Sequence, residues 1–214
     1  MPNYTAYKGV QIFLRTMGLL FWRVRAEGRD RVPLTGPLIV ASTHESFLDP
    51  LLIGAYLPRH QWYMARRSLF FRGERRSRFL TWFASLWGVI EVDRDGTGIG
   101  ALRGAEERLR EGRPVLIFPE GTRSQDGEVQ EFRPGVGLLV RRTGARVLPV
   151  SVDGTRRIWP RGRKGPRLGP GPVRIVFGDP IEFEETTDPK AIAAAIRQRI
   201  VELRAKPDGG APGR

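Results

Sequence analysis

Four short apolar runs, spaced so that helical patterns fit between them, constrain the fold of this chain more than any other feature. Leu38–Ser42 (LIVAS) follows Gly36-Pro37, Val115–Phe118 (VLIF) is flanked by turn residues, and Val147–Val152 and Val173–Phe177 complete the set. Runs this short and continuously apolar, bounded by turn signals, predict buried strands. Gln61–Ala65 (QWYMA) and Gly88–Val92 (GVIEV) read as two more. Thr97–Glu111 sets Ile99, Leu102, Ala105 and Leu109 on one side of a helix that stops at Gly112, and Val136–Arg142 is a shorter helix ended by Gly144. Asp49-Pro50 and Asp188-Pro189 each join a capping residue to a proline suited to the first turn, so a helix starts at both, the second running to about Arg204.

This alternation predicts an α/β fold, a single layered domain with a largely parallel mixed sheet flanked by helices. The 214 residues suit one domain with a sizeable core. Its expected bounds are 27–206, and the Gly- and Pro-rich tail 207–214 is expected to be disordered. Residues 1–26 form a separate N-terminal unit. Between Val10 and Val24 the chain is apolar and aromatic, but Arg15 and Arg23 interrupt it and it falls short of the roughly 20 apolar residues of a membrane span. An amphipathic helix associated with the membrane interface is the expectation, and a terminal helix packed on the domain's own core is the alternative.

Composition narrows the chemistry. There are no cysteines, which removes disulfides, thiolate nucleophiles and cysteine-ligated zinc. Thirty-six Lys and Arg against 23 acids give a formal charge of +13, a field that attracts anionic lipid, phosphorylated small molecules or nucleic acid. Two segments concentrate it: Arg66–Arg78, interleaved with Leu and Phe, and Arg156–Arg167, which holds no acid and reads as a loop.

Of the two histidines, His60 follows Pro58-Arg59 at a helix end, where a solvated or helix-terminal role is expected. His44 stands directly after LIVAS, where α/β domains place reactive groups at the carboxyl ends of strands. Asp49 lies five residues on, in HESFLD. On a regular helix the two would face apart, whereas a turn can lay the carboxylate against the imidazole, fix its tautomer and free the other nitrogen as a base. The alternative makes Asp49 a helix cap only. Phe118–Ser124 (FPEGTRS) follows VLIF and offers Glu120 as an acceptor, Gly121 for close backbone approach, the Thr122 hydroxyl and the Arg123 fork for a phosphate. It lacks the glycine spacing and Lys of a P-loop. Asp93-Arg94, ending GVIEV, can supply another guanidinium.

Together these residues resemble the 1-acylglycerol-3-phosphate acyltransferase family, the PlsC-type lysophospholipid acyltransferases. His44 and Asp49 match its His-four residues-Asp motif, Gly88–Arg94 its second motif, Phe118–Ser124 its third in full, and Leu148-Pro149-Val150 its fourth. All four stand in the family's order. Thr43 replaces the usual Asn, and Glu91 an apolar residue, which keeps a lyso-ornithine lipid or glycolipid acceptor in view.

The resemblance implies acyl transfer from acyl-CoA or acyl carrier protein to a lysophospholipid hydroxyl. In that reading His44 is the base, Asp49 orients it, and Arg94, Glu120, Gly121, Thr122 and Arg123 hold the acceptor. It implies no metal or prosthetic group, a membrane surface with anionic lipids as partner, no nucleic acid, and a peripheral or monotopic place on the cytoplasmic face. Two rival classes remain. A nucleic-acid-binding protein explains the charge but no binding module is visible, and a serine hydrolase using Ser46 lacks the Gly-x-Ser-x-Gly elbow.

Overall fold

The computed structural model describes residues 4–66, 71–72, 75–76, 86–92, 99–160 and 162–206. In chain order the elements are α1 (Tyr4–Trp22), β1 (Arg25–Glu27), β2 (Leu38–Ser42), α2 (Asp49–Tyr56), β3 (Trp62–Arg66), β4 (Phe71–Arg72), β5 (Arg75–Arg76) and β6 (Val89–Val92). They continue with α3 (Ile99–Arg110), β7 (Pro114–Ile117), α4 (Gly135–Thr143), β8 (Arg146–Asp153), α5 (Thr155–Ile158), β9 (Arg174–Phe177) and α6 (Pro189–Ala205). Seven strands form one sheet in the order β1-β9-β8-β2-β7-β3-β6. Every neighbouring pair is parallel except β8 with β9. The layered α/β domain expected from the strand and helix pattern is the one observed.

Period-two alternation divides each central strand between two cores. Leu38 and Val40 of β2, Leu116 of β7 and Leu148, Val150 and Val152 of β8 face a core completed by Trp22, Leu52, Ile53 and Leu57 of the α1–α2 side. Ile39, Ala41, Val115, Ile117 and Val147 face the other, completed by α3, α4 and α6 through Leu109, Leu139, Ile192, Ile196 and Ile200. A sheet covered on both faces explains why its strands read as continuous apolar runs. Each fully buried Leu or Ile contributes about 1.5–3 kcal/mol. Asp188 caps α6, its side chain accepting from the Lys190 and Ala191 N–H groups at 3.0 and 3.1 Å, a bond whose loss costs about 1 kcal/mol.

The N-terminal helix packs on the domain through one face and leaves an apolar stripe on the other. Inward, Tyr7 and Gln11 are buried. Gln11 Nε2 donates to Gly54 O at 2.7 Å and Arg15 Nε to Ala55 O at 2.6 Å, so α1 supplies donors to carbonyls near the end of α2 that lack helical partners. Outward, Ile12, Phe13, Leu19 and Leu20 are each about 60–70% exposed, an apolar stripe along one side. Among the described residues no helix is long and apolar enough to cross a membrane.

Strand order sets the site. From β7 the chain passes through α4 and crosses β2 to reach β8, so the order reverses around β2. A crevice outside the carboxyl ends is expected at such a point. The register pairs Ala41 with Ile117, so His44 and Glu120 each leave the sheet three residues beyond the last pair and emerge level.

Candidate active site

Residues 43–48 form a turn, not a helix, and this lets a five-residue spacing close. Asp49 opens α2 but does not cap it, because the cap position is Leu48 with no side-chain bond. The carboxylate turns back instead. Its Oδ2 accepts from the Glu45 and Ser46 N–H groups at 2.7 Å each and meets His44 Nδ1 at 2.9 Å. Its Oδ1 accepts from Thr155 Oγ1 at 2.6 Å. Asp49 is wholly buried, and all four partners can donate, as an ionised carboxylate requires. The capping expectation is thereby replaced by a pairing one.

The His44 ring stacks on Phe118, centroids 4.0 Å apart and planes 17° from parallel. Its side chain stays 19% exposed. With Asp49 against Nδ1 and one face covered by Phe118, Nε2 is the ring nitrogen left without a partner among the described residues.

The second turn is tied to the first through the His44 backbone. His44 N–H donates to Glu120 Oε1 at 3.2 Å, and Ser124 N–H donates to His44 O at 2.7 Å. Glu120 is 4% exposed. Burial pushes its carboxyl up to about 7, against the His44 and Gln130 N–H groups, with the Asp49 charge adding to the rise and Arg204 opposing it. Gly121 adopts φ 73°, a conformation that favours glycine, and a Cβ there would fall 2.7 Å from Arg133 Nε. Gly121 and Thr122 are exposed. Arg123 lays its guanidinium over the Phe47 ring, 3.8 Å from the centroid.

The structure thus brings together His44, Asp49, Glu120, Gly121, Thr122 and Arg123. Arg94, with Asp93, lies outside the described residues, as does the Glu91 side chain of β6. Ser46 is a turn residue rather than a nucleophile: its Oγ donates to Trp159 O at 2.9 Å and accepts from Leu48 N–H at 3.1 Å. His60 stands four residues past the end of α2 and is half-buried rather than solvated. Nε2 sits 3.1 Å from Leu86 O, Tyr7 packs 4.4 Å away, and burial lowers its pKa. The basic segment after β8 is not wholly loop, since α5 opens it, and Arg156 donates to the Gln125 and Asp126 carbonyls.

Sequence reading misses Thr155. Gly154 turns the chain at φ 90° immediately after β8, with Pro172 O so close that a Cβ would collide with it. That delivers the Thr155 hydroxyl to Asp49. The signal is present in the chain: the strand-end rule that singles out His44 applies equally to β8.

Fold and site define an α/β protein with a buried carboxylate paired to a histidine beside a glycine-bearing turn. The chain belongs to the acyltransferase family, whose sequence profile matches residues 23–153. It is 30% identical over 164 residues to a chloroplastic 1-acyl-sn-glycerol-3-phosphate acyltransferase of Arabidopsis thaliana, covering 75% of this chain and 44% of that one. It is 25% identical over 195 residues to the 1-acyl-sn-glycerol-3-phosphate acyltransferase of Bacillus subtilis, covering 86% and 90%. The crystal structure of the 1-acyl-sn-glycerophosphate (LPA) acyltransferase PlsC from Thermotoga maritima superposes with TM-score 0.75 at 28% identity, covering 94% of this chain and 81% of that one. The chain spans about half the length of the plant and algal relatives it matches.

Proposed function

We propose that this chain transfers a fatty acyl group from a thioester, acyl-CoA or acyl carrier protein, to the free hydroxyl of 1-acylglycerol-3-phosphate, giving phosphatidic acid. The observation that carries this is the His44 Nδ1–Asp49 Oδ2 contact at 2.9 Å at the carboxyl edge of the sheet. The activities for which the Arabidopsis and Bacillus relatives are named supply the acceptor.

In this reading Nε2 of His44 takes the acceptor hydroxyl proton as its oxygen attacks the thioester carbonyl. Asp49 stabilises the imidazolium across the Nδ1–H bond. The tetrahedral oxyanion collapses, the carbon–sulfur bond breaks, and the departing thiolate takes the proton from Nε2. One ester and one thiol replace one thioester and one alcohol. Base assistance of this kind is worth about 10²–10⁴ in rate.

Gly121, Thr122 and Arg123 hold the acceptor, Arg123 as a planar fork for phosphate. Glu120 fixes the His44 backbone through Oε1 and stands with them at the acceptor site. The exposed stripe of α1 lies on a bilayer, with the exposed Arg23 at its end suited to anionic headgroups.

The test is product formation by purified protein from lysophosphatidic acid and a panel of acyl-CoAs and acyl carrier proteins, beside a His44→Ala variant. Phosphatidic acid from the native chain and its loss in the variant are expected. Undiminished product in the variant would sink the base assignment, and transfer only to other lyso-lipids would sink the acceptor. Flotation with anionic vesicles tests α1: Phe13→Ser with Leu20→Ser is expected to abolish it, and unchanged flotation contradicts the stripe's role.

A further inference from the structure

Behind the His44 turn lies a second charged assembly, built from elements distant in sequence. Arg204, near the end of α6, places Nη2 2.8 Å from Glu45 Oε1 and 3.0 Å from Asp153 Oδ1 at the end of β8. Glu45 is 4% exposed, and the Arg204 side chain 26%. A carboxylate so buried is retained as a charge only when paired. Glu45 is the residue next to His44, and its N–H is one of the two backbone donors on Asp49 Oδ2, the oxygen that His44 Nδ1 also meets. One residue therefore joins α6 to the base: its side chain is tethered to Arg204, and its backbone holds the carboxylate that orients the imidazole.

We propose that Arg204 is a positioning residue for acyl transfer, acting through Glu45 to fix the turn that carries His44 and to counter the negative charge gathered beneath it. The proposal rests on the reading of His44 as the base. Three buried carboxyl groups, Asp49, Glu45 and Glu120, gather at the turn that carries His44: Asp49 meets its ring, Glu120 its backbone N–H, and Glu45 is its chain neighbour. Burial pushes Glu45 up to about 7, Asp49 and Asp153 add to the rise, and Arg204 opposes it. Arg204 acts on Glu120 in the same direction. Burial works against the guanidinium's charge, but Glu45 and Asp153 outweigh it and hold its pKa above the ordinary value.

The other guanidinium at this place is already committed. Arg174 of β9, which lines a small cleft with Arg204, Asp153 and Lys206, donates to both Glu27 oxygens at 2.9 and 3.1 Å. Helix α6 is itself pinned by Ile192, Ile196, Ile200 and Leu203. The guanidinium thus projects from a rigid element, as a positioning contact requires.

Removing Arg204 lets Glu45 take up a proton at higher pH and frees its side chain from α6. The bond from Glu45 N–H to Asp49 then loosens. A displacement of about 1 Å at a reacting group costs up to about 10²-fold in rate.

The experiment compares native protein, Arg204→Leu, Arg204→Lys, Glu45→Gln, the Arg204→Leu/Glu45→Gln pair and His44→Ala. Thermal midpoint, kcat, KM and the pH profile of kcat are read between about pH 5 and 9. Arg204→Leu is expected to lower kcat by roughly 10- to 10²-fold at nearly unchanged KM, and to move the acid limb of the profile to higher pH. Arg204→Lys restores most of kcat. Glu45→Gln produces a similar fall, and the double variant no further one.

A merely structural contact predicts a lower thermal midpoint in Arg204→Leu, with the native kcat and pH profile per folded molecule, and that result overturns the proposal. Should Arg204→Leu not fold, a native kcat and profile in Glu45→Gln overturns it equally. His44→Ala separates the two claims. Activity surviving there removes the base and the positioning role together, whereas an inert His44→Ala beside an unaltered Arg204 series removes the positioning role alone.

Discussion

The turn after β2 and the turn after β7 leave neighbouring parallel strands at the same level, yet they are built in opposite ways. In the first, Thr43, Glu45, Ser46, Leu48 and Asp49 are all buried, and side-chain oxygens hold the backbone N–H groups of Glu45, Ser46 and Leu48. In the second, only the base of the turn is fixed, by Gly121 N–H to Phe118 O and Ser124 N–H to His44 O. Its tip, Gly121 and Thr122, stands in solvent. A group that changes charge during a reaction must be oriented beforehand by partners that do not reorganise. A group that receives a substrate from water or membrane must be open to it. In the function proposed above the two turns divide these demands, and His44 joins them through its own N–H and carbonyl.

The largest expected effect tests the closed turn. Asp49→Asn keeps the shape but replaces the carboxylate that His44 Nδ1–H meets, and the turnover rate is expected to fall by about 10²–10⁴. A rate within threefold of native, measured on folded protein at about neutral pH, would make the closed turn mere scaffolding.

The next tests how far the closed turn depends on its distant donor. Thr155→Val removes one hydrogen bond to a buried charge at nearly constant volume, which costs about 1.5–3 kcal/mol of stability. Denaturant unfolding measures it. A change below about 0.5 kcal/mol would show that Asp49 keeps its environment without Thr155.

The smallest effect concerns Glu120, which belongs to the open turn but lies on its buried side. Its ordinary value of 4.5 applies to the unfolded chain, and its folded value is about 7. Between the two, the native chain keeps a proton that the unfolded chain releases, so stability from this group falls as pH rises through that window. Glu120→Gln abolishes the loss. Its stability relative to native is expected to increase from about pH 5 to about pH 8 by about 1–2 kcal/mol, since each pH unit between the two values is worth about 1.4 kcal/mol and water screens part of it. Glu45 titrates with the same sign in both proteins and cancels. A flat or falling difference would contradict the buried state of Glu120.

The closed turn shows what a sequence can and cannot reveal. LIVAS and VLIF are legible because a strand buried on both faces must be apolar throughout, and HESFLD because a histidine leaving such a strand is chemically exposed. Asp188 announces α6 because capping is local. Thr155 and Arg204 are not legible as partners of the site. Thr155 lies 106 residues from Asp49 and Arg204 is 159 positions beyond Glu45, and only strand order and helix packing bring them near. The strand β1 escapes notice because Arg25-Ala26-Glu27 is a sheet-edge segment with no apolar run to mark it. The same logic reads Asp49 as a cap, since the Asp-Pro signal is real but the carboxylate finds stronger partners behind it.

The central claim is that Asp49 holds the proton on Nδ1 of His44 and leaves Nε2 as the base. Nitrogen NMR of the labelled ring, at a pH where it is neutral, reads the tautomer directly. The account predicts a protonated Nδ1 and an unprotonated Nε2 in the native chain, with that preference lost in Asp49→Asn. A proton on Nε2, or a tautomer indifferent to the Asp49 substitution, would contradict it.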